Sequence, residues 1–225
     1  MPWMYFNVLK KTDLDMKISI SKQIKSGKLV KAPKKSYYTY LIIDIERYNA
    51  NKSKVDESSL VPHEASMHDF LLFKACIIYV GKGIFNRKHM HLTLAKQLYV
   101  GMLPKRKISL KVSKIASLWE QGKGITLIQL DCDATTYEAF TRENCIIKSL
   151  NFNMLTNRIR GTSYGAAKRW PLLKIINYGN MLTYSLFNIF ISKTPNIIFA
   201  SDVVLKAKAK CKSIKLCDLC KDKIQ

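Results

Sequence analysis

Three short apolar segments, separated by a polar stretch and then by helical patterns, restrict this chain to a small mixed α and β fold. Residues 37–44 are rich in aromatic and β-branched side chains, which indicates a buried strand. A second apolar run, 71–80, ends at the glycines of 81–83, and a third strand is predicted over 125–130. The polar stretch 49–67 has no periodicity, so we expect it to be a loop.

Helices are predicted between and after these strands. Residues 84–98 and 109–121 have helical spacing of their apolar positions. Thr135, with Glu138 three residues later, has the pattern of a capping box and predicts a helix that runs to about residue 150. We therefore predict an α+β domain with a small three-stranded antiparallel sheet flanked by helices, in which the first two strands are able to pair as a hairpin.

The chain is strongly basic, and its charge indicates its partner. It has 38 Lys and Arg against 16 Asp and Glu, a net charge of +22. The usual partner of such a charge is a polyanion, with nucleic acid before an anionic membrane surface. A central domain over 36–165 is predicted between two basic extensions, 1–35 and 166–225, of which the second is partly apolar and has no predicted fold.

Composition also excludes several protein classes. The six cysteines are too few and too scattered for a small disulfide scaffold, and no secretion signal is recognisable, so we expect an intracellular protein of the nucleus or cytoplasm. The long uncharged run 175–192 contains several polar residues, which disfavours a membrane span. The sequence gives no indication of a small-molecule substrate or of an oligomeric state.

A carboxylate lies within the apolar stripe of the third predicted helix. At 100° per residue, six side chains fall within about 60° of Glu143. They are Thr136, Ala139, Phe140, Ile146, Ile147 and Leu150. A carboxylate there is costly unless a cation or donors satisfy it. The simpler interpretation is a buried ion pair, or a helix at the rim of the core.

The helix after residue 83 has a similar anomaly. Arg87 and His91 are four residues apart, so they share a face with Leu94, Ala95 and Leu98. For the arginine alone a solvated face is the simpler interpretation, and for the histidine a hydrogen-bonded core position. Two helices that both place polar groups on an inward stripe indicate a shared pocket.

These motifs, taken in order, resemble the GIY-YIG endonuclease domain. Residues 38–40 are similar to its first signature triplet, of which Tyr40 alone is retained, and residues 79–81 are similar to the second. The resemblance extends to the helix with Arg87 and His91, to Glu143, and to Asn157 after that helix.

One animal branch of the family is more similar still: the ankyrin-repeat, LEM-domain endonucleases that cut branched DNA. The similarity covers roughly residues 36–165. It rests on the strings Tyr79-Val80-Gly81-Lys82-Gly83, Thr141-Arg142-Glu143, Leu155-Thr156-Asn157, Arg160-Gly161 and Tyr164-Gly165. Tyr38 and Thr39 depart from the family, and the spacing from Tyr40 to Tyr79 is longer than in its minimal members.

The resemblance implies a single-metal site. Glu143 would hold one Mg²⁺ or Mn²⁺ through a hard oxygen, while the scissile phosphate and waters complete the coordination. Arg87 would contact the non-bridging phosphate oxygens.

The proton acceptor is predicted to be a tyrosine. Tyr79 is the expected general base with Tyr40 orienting water or phosphate, and the exchange of these roles stays open. A phenol needs a cation beside it to act as a base, and Lys82 is the nearest in sequence. His91 would contact phosphate or share in proton transfer, and Asn157 would tie the site together. The simpler interpretations give these residues structural roles only. Tyr40 and Tyr79 would then be aromatic residues of the strands, Lys82 and Gly83 part of a turn, and Asn157 a helix cap.

A basic cluster precedes and enters the second predicted helix. As a surface for DNA phosphates, it would make binding strongly salt-dependent, and otherwise it is a solvated face. Its members are Lys105, Arg106, Lys107, Lys111 and Lys114.

Near the end of the chain lie a group of cysteines and a ladder of lysines. Cys211, Cys217 and Cys220 are one ligand short of a structural zinc site, which disfavours zinc. The lysines at 206, 208, 210 and 212 suit a basic tail.

The predicted function is a metal-dependent DNA endonuclease that hydrolyses phosphodiester bonds with inversion at phosphorus. By resemblance it acts on branched or structured DNA in repair or recombination. The alternatives are a nucleic-acid-binding protein without catalysis on a nuclease scaffold, a nuclease of the mobile-element type, and a membrane-surface protein that uses the basic flanks and residues 171–205.

Overall fold

The computed structural model describes residues 2–31, 36–54, 62–104 and 108–205, apart from the side chains of 2–6, 62–66 and 131–132. The main elements are, in chain order, α1 (Pro2–Lys25), β1 (Tyr37–Asp44), α2 (Ile45–Lys52), α3 (Pro62–Cys76), β2 (Ile77–Gly83), α4 (Arg87–Tyr99), α5 (Leu110–Glu120), β3 (Ile125–Ala134), α6 (Thr136–Ser149) and α7 (Leu172–Ser192). Short 3-10 helices lie at Phe152–Met154, Gly165–Arg169 and Ala200–Asp202.

The three strands form one antiparallel sheet in the order β2-β1-β3. The α+β class and the sheet predicted from the sequence are confirmed. Strand β1 is central, and its residues from 39 to 44 are buried because helices cover both faces of the sheet. β1 and β2 pair as predicted, but α2 and α3 lie in the connection between them, so they do not form a tight hairpin.

Two hydrophobic clusters form the core, one on each face of the sheet. Successive side chains of a strand point to opposite faces. Leu41 and Ile43 accordingly pack with residues of α3, α6 and α7, including Phe73, Ile146 and Phe187. The second cluster joins the other face to α4 and α5, and its members include Tyr40, Ile42, Leu92, Ala95 and Ile115.

Part of the stretch predicted to be a loop is helical. Asp44 is the N-cap of helix α2, and its side chain accepts a hydrogen bond from the Arg47 N–H (3.0 Å). The helix buries Ile45 and Tyr48. Helix α3 also covers the end of the predicted loop, and it extends over residues predicted as the start of the second strand. Contacts with the rest of the fold stabilise these two helices. The polar composition of the segment by itself does not indicate a helix.

The prediction of strand structure for 71–76 was wrong because a short apolar run does not distinguish a strand from a buried helix. Phe70, Phe73 and Cys76 are buried while Leu71 is exposed, which is the three-residue spacing of a helix face. The rings of Phe70 and Phe73 pack against Phe187 in tilted arrangements, with centroids 5.6 and 5.3 Å from the Phe187 centroid.

Helix α6 follows the sequence prediction closely. Thr135 and Glu138 make the reciprocal hydrogen bonds of a capping box. Side chains from 138 to 147 are buried, apart from the partly exposed Phe140, because α6 is covered by the sheet, by α7 and by α1.

Helix α1 is anchored to α6 and α7 through one carboxylate. Asp13 accepts hydrogen bonds from the Nε (3.0 Å) and Nη2 (2.8 Å) of Arg142, which is 2% exposed, and from the Tyr178 hydroxyl (2.5 Å). Burial by itself raises the pKa of Asp13, but Arg142 and Tyr178 outweigh it and hold that pKa below its ordinary value. Ile20 of the same helix packs against Gly165.

Among the helices in the described part of the chain, none combines the length and the apolar character needed to cross a membrane. The domain boundaries at residues 35 and 165 stay a prediction.

Candidate functional site

Two tyrosines of neighbouring strands lie side by side on the face covered by α4 and α5. Tyr40 of β1 pairs with Gly81 of β2, and the ring centroids of Tyr40 and Tyr79 are 6.0 Å apart. A Cβ atom at position 81 would lie 2.6 Å from ring carbons of both tyrosines. Glycine is therefore required for the two phenols to approach in this way.

The two phenols differ in burial and in pKa. Tyr40 is fully buried, and its hydroxyl has no hydrogen-bond partner among the described residues. Burial raises its pKa far above the ordinary value, and the neighbouring Tyr79 adds to that effect. Tyr79 is partly exposed, and burial and the Glu143 carboxylate raise its pKa to about 12, against the opposing charge of Arg87.

The cation in contact with Tyr79 is Lys111 of α5. Its ammonium donates a hydrogen bond of 3.0 Å to the Tyr79 hydroxyl and lies 4.2 Å from the ring centroid. Burial lowers the pKa of Lys111 to about 8, and the Arg87 charge contributes in the same direction.

Sequence proximity pointed instead to Lys82 as the cation beside Tyr79. Side chains three residues apart on a strand point to opposite faces of the sheet, so Lys82 and Tyr79 point to different faces. It forms an ion pair of 2.8 Å with Glu143, and its ammonium lies 3.6 Å from the Phe140 ring centroid. The carboxylate in the apolar stripe of α6 thus has a cation, as its position required, and its side chain is 10% exposed.

His91 of α4 packs against both tyrosines. Its ring is stacked on Tyr40 and edge-on to Tyr79, with centroids 6.3 and 5.8 Å away. Burial, Lys111 and Arg87 lower the pKa of His91 to about 3, so the imidazole is neutral at pH 7. Its Nε2 is buried and has no hydrogen-bond partner among the described residues.

Arg87, one turn before His91, is exposed at the start of α4. Its charge influences the pKa values of Tyr79, His91 and Lys111, so it belongs to the same cluster. The inward stripe predicted for α4 is rotated: Leu92 and Ala95 are buried, whereas Leu94 is 39% exposed.

Asn157 connects the segment after α6 to strand β2. Its side-chain amide accepts a hydrogen bond from the Val80 N–H (3.0 Å) and donates one to the Val80 carbonyl (2.8 Å). The Thr156 N–H and hydroxyl both donate to the Ile78 carbonyl at 2.8 Å. These bonds fix β2 at the residues on either side of Tyr79.

The predicted basic cluster is only partly described. Lys111 contacts Tyr79, and Lys114 is exposed on α5. Lys105, Arg106 and Lys107 lie outside the described residues, as do the lysine ladder and Cys211, Cys217 and Cys220. Their predicted roles stay predictions.

Two contacts near the site could not be predicted from the sequence. Lys111 reaches Tyr79 because α5 packs across the sheet, and the two residues are 32 positions apart. The Asp13–Arg142 pair joins residues 129 positions apart. Neither pairing is marked by a local pattern.

The donor set suits a divalent ion held by one protein ligand. Glu143 supplies a hard carboxylate oxygen, and Mg²⁺ is often bound by one or two carboxylates with water and phosphate completing the shell. Within the described ranges, no group of three or more His, Cys, Asp or Glu side chains is placed to hold a metal. The residues fit a Mg²⁺ or Mn²⁺ site that substrate and water complete.

Comparison with known sequences identifies relatives over most of the chain. The family model of the LEM-3-like GIY-YIG domain matches residues 37–205. The Ankyrin repeat and LEM domain-containing protein 1 of Mus musculus is 32% identical over 137 residues, which are 61% of this chain and 24% of that protein. The Homo sapiens protein of that name is 29% identical over 171 residues, 75% of this chain and 27% of the relative.

A homologue of the same name in Caenorhabditis elegans is 34% identical over 110 residues, which are 49% of this chain and 16% of that protein. The chain thus spans about a quarter or less of the length of these curated relatives. No solved structure gives a significant match.

Proposed function

The chain belongs to the LEM-3-like GIY-YIG domain family, and on that premise we propose that it is a divalent-metal-dependent endonuclease. It hydrolyses phosphodiester bonds in branched or structured DNA, in repair or recombination. The observation that carries the proposal is the link between two pairs, Tyr79 with Lys111 and Lys82 with Glu143. The Glu143 charge acts to raise the pKa of both Tyr79 and Lys111, so the two pairs belong to one cluster around strand β2.

Tyr79 is better suited to act as the general base than Tyr40 is. It is partly exposed, whereas Tyr40 is fully buried. A phenol with a pKa of about 12 is rarely ionised at pH 7, but the Lys111 amine, with a pKa of about 8, is a suitable final acceptor. The Tyr79 oxygen takes a proton from the attacking water while its own proton moves to the lysine nitrogen.

The remaining residues bind and orient the phosphate. Glu143 would hold the Mg²⁺ or Mn²⁺, which supplies charge neutralisation at the phosphoryl oxygens when bound. The exposed guanidinium of Arg87 has the geometry to make two hydrogen bonds to the non-bridging oxygens. Neutral His91 donates one hydrogen bond from its ring N–H to a phosphate oxygen, and Asn157 keeps β2 in place.

The basic charge supports DNA as the substrate. A net charge of +22 makes binding to a polyanion favourable and salt-dependent. The similarity to LEM-domain proteins supports the preference for branched DNA. A nucleic-acid-binding protein without catalysis would share the charge, so cutting is the property to measure.

The test is cleavage of a labelled four-way junction, a flap, a single strand and a duplex, with Mg²⁺, with Mn²⁺ and with a chelator. We expect the protein to cut the junction or the flap faster than the duplex, and the chelator to abolish cutting. Glu143→Gln should be inactive but should keep salt-sensitive binding. Glu120→Gln, which changes an exposed carboxylate at the end of α5, should cut normally. Cutting by Glu143→Gln, or in chelator, would disprove the metal mechanism.

A further inference from the structure

The loop between β2 and α4 exposes an aromatic ring on a strained backbone. Phe85 has a φ of 48°, in the left-handed region that a bulky residue other than glycine rarely adopts. Its side chain is 76% exposed. Both features are unfavourable for folding, since asparagine or glycine would fit this backbone better and a polar side chain would suit water better.

The strained loop is held in place from the central strand of the sheet. The Tyr38 hydroxyl donates a hydrogen bond to the Phe85 carbonyl (2.8 Å) and accepts one from the Lys88 N–H (3.3 Å). Tyr38 pairs with Gly83 across the strands, and its ring centroid is 5.8 Å from that of Tyr40. The position of Phe85 is thus fixed relative to the tyrosines of the site.

The surroundings of the ring favour a polyanion. The segment 77–99 contains no acidic residue, and its basic residues are Lys82, Arg87, Lys88 and Lys96. Phe85 is two residues from Arg87, so their Cα atoms are at most about 7.6 Å apart. Lys88 lies 5.6 Å from the Tyr38 ring centroid and donates to the Gln129 side chain, which keeps a positive charge beside the loop.

We propose that Phe85 stacks on an unpaired nucleobase next to the phosphate bound by Arg87, and that this contact selects branched or frayed DNA over continuous duplex. In a duplex each base face is covered by its neighbours, whereas a base at a branch point offers a free face to an aromatic ring. The inference deepens the proposed function and rests on it for the place of the cut, but the binding step does not require cutting.

The test measures binding in the Glu143→Gln background, so that cleavage does not interfere. The probes are a flap with 2-aminopurine at its first unpaired position and a continuous duplex of equal length. Phe85→Asn removes the ring and tolerates the backbone conformation, and Phe85→Gly is a second variant of that kind. Phe85→Trp keeps a stacking surface, and Leu173→Asn changes an apolar residue on α7 that is 69% exposed, close to the value for Phe85.

We expect Phe85→Asn and Phe85→Gly to bind the flap about tenfold more weakly, because stacking of a base on an aromatic ring supplies enough free energy for a change of that size. Their affinity for the duplex should stay within about twofold of the parent value. The quenching of 2-aminopurine fluorescence on binding should be absent in the two ring-less variants and should persist in Phe85→Trp and Leu173→Asn. The unfolding temperature of Phe85→Asn should equal or exceed that of the parent, since asparagine adopts a positive φ with less strain than phenylalanine.

An unchanged ratio of flap to duplex affinity in the ring-less variants would overturn the inference, and so would an equal loss for both DNAs. The outcome is independent of the proposed activity. A parent protein that cuts no DNA but binds the flap through Phe85 would refute the endonuclease and leave this contact standing.

Discussion

The Lys111 ammonium donates a hydrogen bond to the Tyr79 hydroxyl across 3.0 Å, and the pKa values of about 8 and about 12 place the more easily removed proton on the lysine. One proton therefore leaves this pair near pH 8, and it leaves a neutral amine against a neutral phenol. The pair is able to accept a proton from water only after that loss.

The first prediction is a pH dependence of cutting. Below the Lys111 pKa the amine is protonated, so log kcat/KM should rise by about one unit per pH unit and level off at about pH 8. A divalent ion on Glu143 adds positive charge and would move this limb to lower pH. Single-turnover cleavage from pH 6 to 10 measures it.

Lys111→Met should lower the rate and remove the plateau near pH 8, whereas Lys114→Met on the exposed side of the same helix should keep it. Stability gives an independent check. Between the folded pKa of about 8 and the ordinary value of 10.5 the unfolded chain binds more protons, so the free energy of unfolding should rise with pH in that window. The same plateau in Lys111→Met would contradict the role of the pair.

The second prediction concerns competition between Lys82 and the metal for Glu143. The ammonium lies 2.8 Å from the carboxylate oxygen, so a divalent ion has to displace it or share that oxygen. Lys82→Met should reduce the Mn²⁺ concentration for half-maximal cutting about tenfold, equivalent to about 1.4 kcal/mol.

DNA-free thermal unfolding checks this without activity. Lys82→Met leaves a largely buried carboxylate without its cation, so Mn²⁺ should raise its Tm more than that of the parent, and Glu143→Gln should show no such shift. Lys123→Met, which removes an exposed charge, is the control. Equal Mn²⁺ dependence in Lys82→Met and the parent would rule the competition out.

The third prediction concerns the anchor of α1. Asp13→Asn should lower the free energy of unfolding by about 3 kcal/mol, because the buried Arg142 guanidinium loses its carboxylate. Urea unfolding measures it, and Asp15→Asn on the exposed side of α1 should change little.

Asp13 also gives a pH signature with a defined sign. Its folded pKa lies below 3.8, so its contribution is present above that value and is lost as the pH falls through the folded pKa. Asp13→Asn should therefore flatten the acid limb of the stability profile. A steep acid limb in the variant would show that other carboxylates produce it.

The fourth prediction concerns Gly81. A methyl group there would overlap the rings of Tyr40 and Tyr79, and Tyr40 has no space to move because it is fully buried. Gly81→Ala should lower the free energy of unfolding by about 1–3 kcal/mol and the cutting rate about 100-fold, since displaced catalytic groups lose rate steeply.

Gly122→Ala separates the two effects. Its φ is 70° and a Cβ there would meet nothing within 4 Å, so it should lose about 1 kcal/mol through backbone strain alone and keep its cutting rate. If Gly122→Ala lost as much activity as Gly81→Ala, the loss would be due to instability.

The parts of the fold that were predictable depend on local patterns. Strand β1 follows from its run of aromatic and β-branched side chains, and the start of α6 follows from the Thr135–Glu138 capping box. Both patterns involve neighbours in sequence. Helices α2 and α3 were missed because burial against α7 stabilises them, as in the contacts of Tyr48 with Phe190 and of Phe73 with Phe187.

The site divides in the same way. A carboxylate amid apolar positions indicated that Glu143 needs a cation, and Lys82 meets that need. Which cation contacts Tyr79 depends on how α5 crosses the sheet, and no spacing within the chain encodes the 3.0 Å contact with Lys111. The rotation of α4, which exposes Leu94 instead of Leu92, likewise depends on its packing against α5.

The anchor of α1 has a consequence for the order of events at the ribosome. Asp13 is synthesised 129 residues before Arg142 and 165 residues before Tyr178. At translation speeds of about 5–20 residues per second, α1 waits roughly ten to thirty seconds for its docking surface. The helix that carries Glu143 therefore gains its last support only when α7 has emerged, so we expect nascent chains that stop before α7 to hold an incomplete site around Glu143.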